Sequence, residues 1–206
     1  MAEILIIPGT DDAQVAAWLQ GRLAAAMAAT EGRVAIIVPG GATPFPILEK
    51  LAGAELDWTR LSVWPGDDRA VDEAHPASNA GRIRALLEPV GAEVVALRED
   101  AAPPPFALSW LGMGADGHIA SLFPNTDPRA DDPFPVRRLT PDPLPPEAPF
   151  DRISLTIPAL LRSDELLFVI RGTEKRVVFE MAMRGESDLP VARLLAAARQ
   201  PVTCFT

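Results

Sequence analysis

The chain is short of cysteine, histidine and lysine, and each shortage closes off a class of function. Cys204 is the only cysteine in 206 residues, which excludes an internal disulfide framework and any cysteine-based zinc site. The only histidines, His75 and His118, lack metal-ligand spacing, so no metal is expected. All but Lys50 and Lys175 of the 19 basic residues are arginine, so either lysine could be a special placement. No apolar run approaches the roughly 20 residues that cross a bilayer. The start Met1-Ala2-Glu3-Ile4 has neither the basic onset nor the long apolar stretch of a signal peptide. A cytoplasmic protein with no membrane partner is the expectation. The net charge of −9 argues against nucleic acid as a partner. It leaves room for a small anionic substrate, since a few local cations decide that. There is no internal repeat and no serine on a Gly-x-Ser-x-Gly elbow. What is present, 48% apolar and 23% charged residues, fits one globular domain over residues 1–206. Several apolar helix faces suit either a monomer or a homodimer.

Helix-like and strand-like stretches alternate. Unalternating apolar runs of strand length lie at 4–7, 34–38, 61–64, 94–97, 106–111, 153–157, 166–170 and 202–205. Helical patterns lie at 11–29, from Pro44 to near Leu51, and at 79–87, 174–184 and 191–198. Continuous apolar strands separated by helices predict an α/β fold: a doubly wound, mostly parallel, Rossmann-like sheet covered on both faces in a three-layer αβα sandwich. The stretch 124–150 is dense in Pro and Asp without a period, and reads as a long surface excursion.

Four segments at strand ends carry chemistry. After the strand ending at Val38, Pro39-Gly40-Gly41-Ala42-Thr43-Pro44 combines a tight turn, an N-cap candidate in Thr43 and a proline suited to the first helical position. A helix start with free N–H groups suits phosphate, although many Gly-Gly turns bind nothing. After Trp64, Asp67-Asp68-Arg69 precedes His75 and Ser78-Asn79. An arginine there can clamp a phosphate or carboxylate. The bland alternative is a solvated loop with Asn79 capping the next helix. After Leu111, the run Gly112-Met113-Gly114-Ala115-Asp116-Gly117-His118 lets an acid and an imidazole turn into one cleft if the loop is bent, as its glycines permit. The bland alternative is a histidine hydrogen-bonded inside a turn. After Ile170, Arg171-Gly172-Thr173-Glu174-Lys175 puts a lysine in a first helical turn, where it opposes the helix dipole. In a parallel sheet these four ends share one edge, where open α/β folds bind ligands. Gly112-Met113-Gly114 with Gly117 spells Gly-x-Gly-x-x-Gly, but the acid and histidine inside it and the absence of a long helix after it speak against a dinucleotide site.

Taken together, these segments resemble the 6-phosphogluconolactonase family, within the sugar-phosphate isomerase and deaminase superfamily. Residues 112–124 resemble its Gly-Met-Gly-x-Asp-Gly-His-Thr-Ala-Ser-Leu-Phe-Pro signature, with Ile119 in place of the threonine. Residues 39–44 resemble its Ser-Gly-Gly-Ser-Thr-Pro loop, with Pro39 and Ala42 in place of both serines. Residues 67–79 resemble its Asp-Glu-Arg…His…Ser-Asn segment, with Asp68 in place of glutamate. Residues 152–158 and 172–175 match its later strand and its Gly-x-x-Lys turn. The related glucosamine-6-phosphate deaminases share Asp-Gly-His but continue with Ala-Phe-Asn-Glu-Pro and use a glutamate that is missing here after Pro124. The resemblance implies hydrolysis of 6-phosphogluconolactone, a phosphorylated sugar lactone, with no metal or organic cofactor. It implies His118 as general base, Asp116 as its orienting acid, and Arg69 and Lys175 as cations for phosphate or oxyanion. Gly40, Gly41, Thr43, Asn79 and Gly114 would complete the binding surface. A sugar-phosphate-binding module without turnover is the reading from another class.

Overall fold

A computed structural model describes residues 2–144, 146 and 149–206. The strands β1 (Ile4–Ile7), β2 (Val34–Val38), β3 (Leu61–Pro65), β5 (Glu93–Val94), β6 (Leu108–Leu111), β9 (Leu166–Val169) and β10 (Val202–Phe205) form one parallel sheet. Its order is β1-β10-β9-β6-β2-β3-β5. From β2 the chain proceeds outward to β3 and β5, then returns to β6 and proceeds the other way. The reversal between β2 and β6 opens a crevice beyond their carboxyl ends.

Both sheet faces are covered, which is why the strands read as unbroken apolar runs. Val34, Ile36 and Val38 pack with Val15 and Leu19 of α1 (Asp12–Ala29), Ile47 of α2 (Pro44–Ala52) and Ile83 of α3 (Asn79–Leu87). Ala35 and Ile37 face the opposite layer, with α4 (Ile157–Leu160), α5 (Thr173–Met183) and α6 (Pro190–Ala197). The same alternation runs through β9, where Leu166 and Phe168 join one layer and Leu167 and Val169 the other. The expected three-layer arrangement is therefore the observed one. Helix α1 begins with a capping box, Asp11 accepting from the Gln14 N–H at 2.8 Å while the Gln14 side chain accepts from the Asp11 N–H at 2.9 Å.

Two expectations need correction. The run 153–157 does not join the main sheet. Its strand is β8 (Arg152–Leu155), the centre of a separate antiparallel sheet with β4 (Asp67–Arg69) and β7 (Val136–Leu139). The 124–150 stretch is likewise not wholly irregular, since β7 lies in it; residues 145, 147 and 148 fall outside the described ones. Asp-Asp-Arg and Val-Arg-Arg-Leu carry no apolar alternation, so only the pairing with β8 makes them strands. This small sheet has a positional consequence. It lifts Asp67 and Arg69 above the end of β3 and sets Arg69 opposite Arg152.

Candidate active site

Beyond the ends of β2 and β6 lies an open cavity of about 330 Å³, a size typical of small-molecule sites. All four chemistry-bearing segments contribute to it. Gly40, Gly41, Thr43, Arg69, Asn79, Gly114, His118 and Lys175 line it; Asp116 stands just behind His118. His75, by contrast, is exposed, outside the lining, and packs edge-on against Phe150 at 5.3 Å.

The Gly40 turn sets one wall. Gly41 has φ +86°, a left-handed conformation natural to glycine. Gly40 lies so close to Asn79 that a Cβ there would sit 2.2 Å from the amide oxygen. Pro44 takes the first helical position as expected, but Thr43 does not cap. Its backbone is already helical (φ −64°, ψ −41°) and its hydroxyl makes no capping bond. The turn begins the helical rotation one residue early, leaving the Thr43 side chain on the cavity wall.

Asp68 and Arg69 are not on a solvated loop. Asp68 is buried, and its carboxylate accepts from the Asn79 N–H at 2.6 Å, the Ala80 N–H at 2.9 Å and the Ser78 hydroxyl at 3.1 Å. It ties the start of α3 to β4, while Ser78, not Asn79, caps the helix by accepting from the Gly81 N–H. Asn79 is freed for the cavity. Its amide donates to the Asp67 carbonyl at 2.8 Å and accepts from Arg69 at 3.2 Å. Arg69 also donates to the Ala77 carbonyl at 2.9 Å. Both side chains are thereby held in one geometry.

The opposite wall carries the imidazole. The loop closes on itself through Gly114 N–H to His118 carbonyl (3.0 Å) and Gly117 N–H to Gly114 carbonyl (3.1 Å). His118 Nδ1 lies 2.6 Å from Asp116 Oδ1, and the ring leans on Phe123 at 4.7 Å. Hydrogen bonding to His118 holds Asp116 below the usual carboxylate range. An ionised Asp116 calls for a proton on Nδ1, so the lone pair falls to Nε2. Such an imidazole can take a proton from water.

Three cavity groups escaped the sequence reading as site residues. Arg152, on β8, and Arg171, between β9 and α5, bring the lining cations to four with Arg69 and Lys175. Asp67 is the only carboxylate among the described lining residues. In a protein of net charge −9, this concentration of positive charge marks an anion site. Arg152 opens a short strand and Asp67 a shorter one, with no local pattern to distinguish them from surface charges.

Burial pushes the Asp67 carboxyl up, opposed by the Ser121 hydroxyl at 2.5 Å and by the Arg69 charge. Ala120, at φ +50°, turns the chain so that Ser121 reaches Asp67. A raised folded-state value means that the unfolded chain ionises first as pH rises from about 4. The Asp67 contribution to stability therefore falls from there until pH passes the folded-state value. Asp67→Asn keeps an oxygen for Ser121 and removes the charge. Its melting temperature relative to wild type is expected to improve as pH rises above about 4, and a constant or worsening difference would contradict this. Separately, among the described residues no three His, Cys, Asp or Glu side chains gather to hold a metal ion.

Sequence and fold both have counterparts among known proteins. The family model for glucosamine-6-phosphate isomerases/6-phosphogluconolactonase matches residues 11–103 and 83–203. The chain is 35% identical over 207 residues to a 6-phosphogluconolactonase of Pseudomonas aeruginosa, covering 89% of this chain and 86% of that one. It is 32% identical over 219 residues to the 6-phosphogluconolactonase of Mesorhizobium japonicum, covering 95% and 92%. Among solved structures, a 6-phosphogluconolactonase from Shewanella baltica superposes with a TM-score of 0.83 at 25% identity, covering 100% of this chain and 97% of that one. With matching fold, matching length and a family model spanning nearly the whole sequence, the chain belongs to the glucosamine-6-phosphate isomerase/6-phosphogluconolactonase family.

Proposed function

We propose that this protein hydrolyses 6-phospho-D-glucono-1,5-lactone to 6-phospho-D-gluconate, in the oxidative pentose phosphate pathway. One observation carries the reading: an Asp116-oriented imidazole stands on the wall of a cavity otherwise dominated by four cations. The curated relatives that bear the lactonase name support the same reaction.

In this reading the phosphate sits against Gly40, Gly41 and Thr43, with Lys175 supplying charge. His118 Nε2 takes a proton from water as the water oxygen adds to the lactone carbonyl. Charge develops on the former carbonyl oxygen. Arg69, which with His118 bears on the Asp67 carboxyl, stabilises it from the reacting end. The tetrahedral intermediate then collapses with cleavage of the bond to the ring oxygen, which takes the proton back from His118. Asp116 holds the imidazole upright throughout, and Gly114 and Asn79 shape the space around it. The lactone is an activated ester, so a positioned base worth about 10²–10⁴-fold suffices beside binding.

The isomerase and deaminase half of the family calls for a second carboxylate after the histidine loop. Here Asn125, Thr126 and Asp127 follow Pro124 with no glutamate among them, Asp127 pairs with Arg193, and lactone hydrolysis needs no second carboxylate. A cytoplasmic location belongs to the same reading, supported by the lone, buried Cys204. Among the described residues no helix is long and apolar enough to cross a membrane.

The test is turnover of freshly generated 6-phosphogluconolactone, with the spontaneous rate subtracted. Hydrolysis above background is expected. Product binding without turnover would make this a binding module, and conversion of glucosamine 6-phosphate instead would move it to the other half of the family.

A further inference from the structure

Arg171 is a cavity cation to which the motifs give no role. It joins β9 to α5, immediately before Gly172 at φ +92°. Lys175 lies in the first turn of α5, and both residues line the cavity. Arg171 Nη2 donates to Asp12 Oδ1, in the first turn of α1, at 3.2 Å. Its Nη1 is buried and has no acceptor among the described residues.

A guanidinium held on one side and left with an unpaired donor is an unusual arrangement, because an unmet buried donor is costly. An anion in the cavity removes that cost. The 39–44 turn supplies the complementary observation. Where the resembling loop carries two serine hydroxyls, this chain has Pro39 and Ala42, and Pro39, Pro44 and Pro46 also lack an N–H. The turn is thus poor in donors beside a wall that is rich in them. Arg171 also offers what a hydroxyl does not: a full charge and a planar fork suited to phosphate oxygens.

We infer that Arg171 recognises the phosphate dianion of the substrate, in this chain taking over from loop hydroxyls, with Asp12 as its positioning residue. The inference rests on the reading of the substrate as a phosphorylated lactone. When the phosphate arrives, the guanidinium turns about its Asp12 contact and presents its unpaired side to the anion. Lys175 supplies the second charge.

The experiment compares Arg171→Gln, Arg171→Lys and Asp12→Asn with wild type on two substrates, 6-phosphogluconolactone and unphosphorylated glucono-1,5-lactone. It adds calorimetric binding of 6-phosphogluconate and of inorganic phosphate. For Arg171→Gln a KM higher by about tenfold or more is expected on the phosphorylated lactone, the size of one charge-assisted hydrogen bond. Its kcat should stay within about twofold, and the unphosphorylated lactone should be turned over as by wild type. Arg171→Lys should recover part of the loss, and Asp12→Asn should show a smaller KM increase. An unchanged KM in Arg171→Gln overturns the inference, as does an equal loss on both lactones, which would mean a structural role. Should Arg171→Gln not fold, Arg171→Lys decides by the same two-substrate comparison. If wild type hydrolyses neither lactone, the functional reading fails by itself. The Arg171 inference is then judged by calorimetry: weaker phosphate binding in the variant supports it and equal binding overturns it.

Discussion

Alanine at His118 is expected to lower kcat for 6-phosphogluconolactone by a hundredfold or more, with little change in KM or melting temperature. In the proposed mechanism the chemistry loses its proton acceptor, and a general base is worth about 10²–10⁴-fold. The fold loses little, because the ring contacts chiefly Phe123 and an Asp116 that is itself half-exposed. The backbone bonds of the loop, Gly114 N–H to His118 carbonyl and Gly117 N–H to Gly114 carbonyl, do not need the side chain. Asp116→Asn should fall between wild type and His118→Ala, since the imidazole loses the partner that fixes its tautomer but keeps its nitrogen. Steady-state kinetics with a parallel melting curve check both. A His118→Ala enzyme that keeps wild-type kcat would leave lactone hydrolysis in place and remove His118 as its base.

Gly114→Ala is expected to be nearly as damaging without touching a reacting atom. A Cβ at this position would lie 2.2 Å from His118 Cε1 and Nδ1 and 2.5 Å from Asp116 Oδ1. No rotamer change of a flexible chain end relieves this, because the obstructing atoms are the imidazole and the carboxylate in the arrangement that makes them useful. Either the ring swings away from Asp116 or the loop opens, and both outcomes lower kcat by an expected hundredfold or so. Gly40→Ala makes an instructive contrast. Its Cβ would strike the Asn79 amide at 2.2–2.4 Å, and Asn79 is buried and held by Asp67 and Arg69. The damage is at the binding wall, so KM should rise more than kcat falls. Wild-type behaviour in Gly114→Ala would mean that the His118–Asp116 geometry is not the working one. The same kinetic split for both glycine variants would remove the division of the cavity into a binding wall and a reacting wall.

Much of the fold and most of the site were legible in the chain itself, and particular residues show why. A strand buried on both faces must be apolar at every position, as Val34–Val38 is, so parallel strands announce themselves as continuous runs. Phosphate loops and close backbone approaches need glycine, so Gly40, Gly41 and Gly114 mark their own positions. The Asp116–His118 pair was legible because it is local: two residues, flanking glycines and a strand end are enough. Lys175 was legible as a cation placed against the helix dipole.

Other features belong to pairings far apart in sequence. Arg152 reads locally as the charge before the apolar run 153–157, and Asp67 as one of a pair of acids in a strand too short and too polar to show a period. They enter the cavity because β4 pairs with β8, with Asp67 opposite Ser154 and Arg69 opposite Arg152. Thr43 reads as a cap, yet whether it caps depends on where the helical rotation starts. Arg171 opens the fourth strand-end segment, but its contact with Asp12 and its buried Nη1 without a partner are set only by the packing of α1 against it. The layered architecture, the strand-end segments and the acid–imidazole spacing are written in the chain, because apolar periodicity, glycine and short spacings are local properties. Which charges line the cavity, which carboxyl is pushed up by burial and which donors lack a partner depend on the folded arrangement. Burial and electrostatics are set by neighbours that the chain meets only after it has folded.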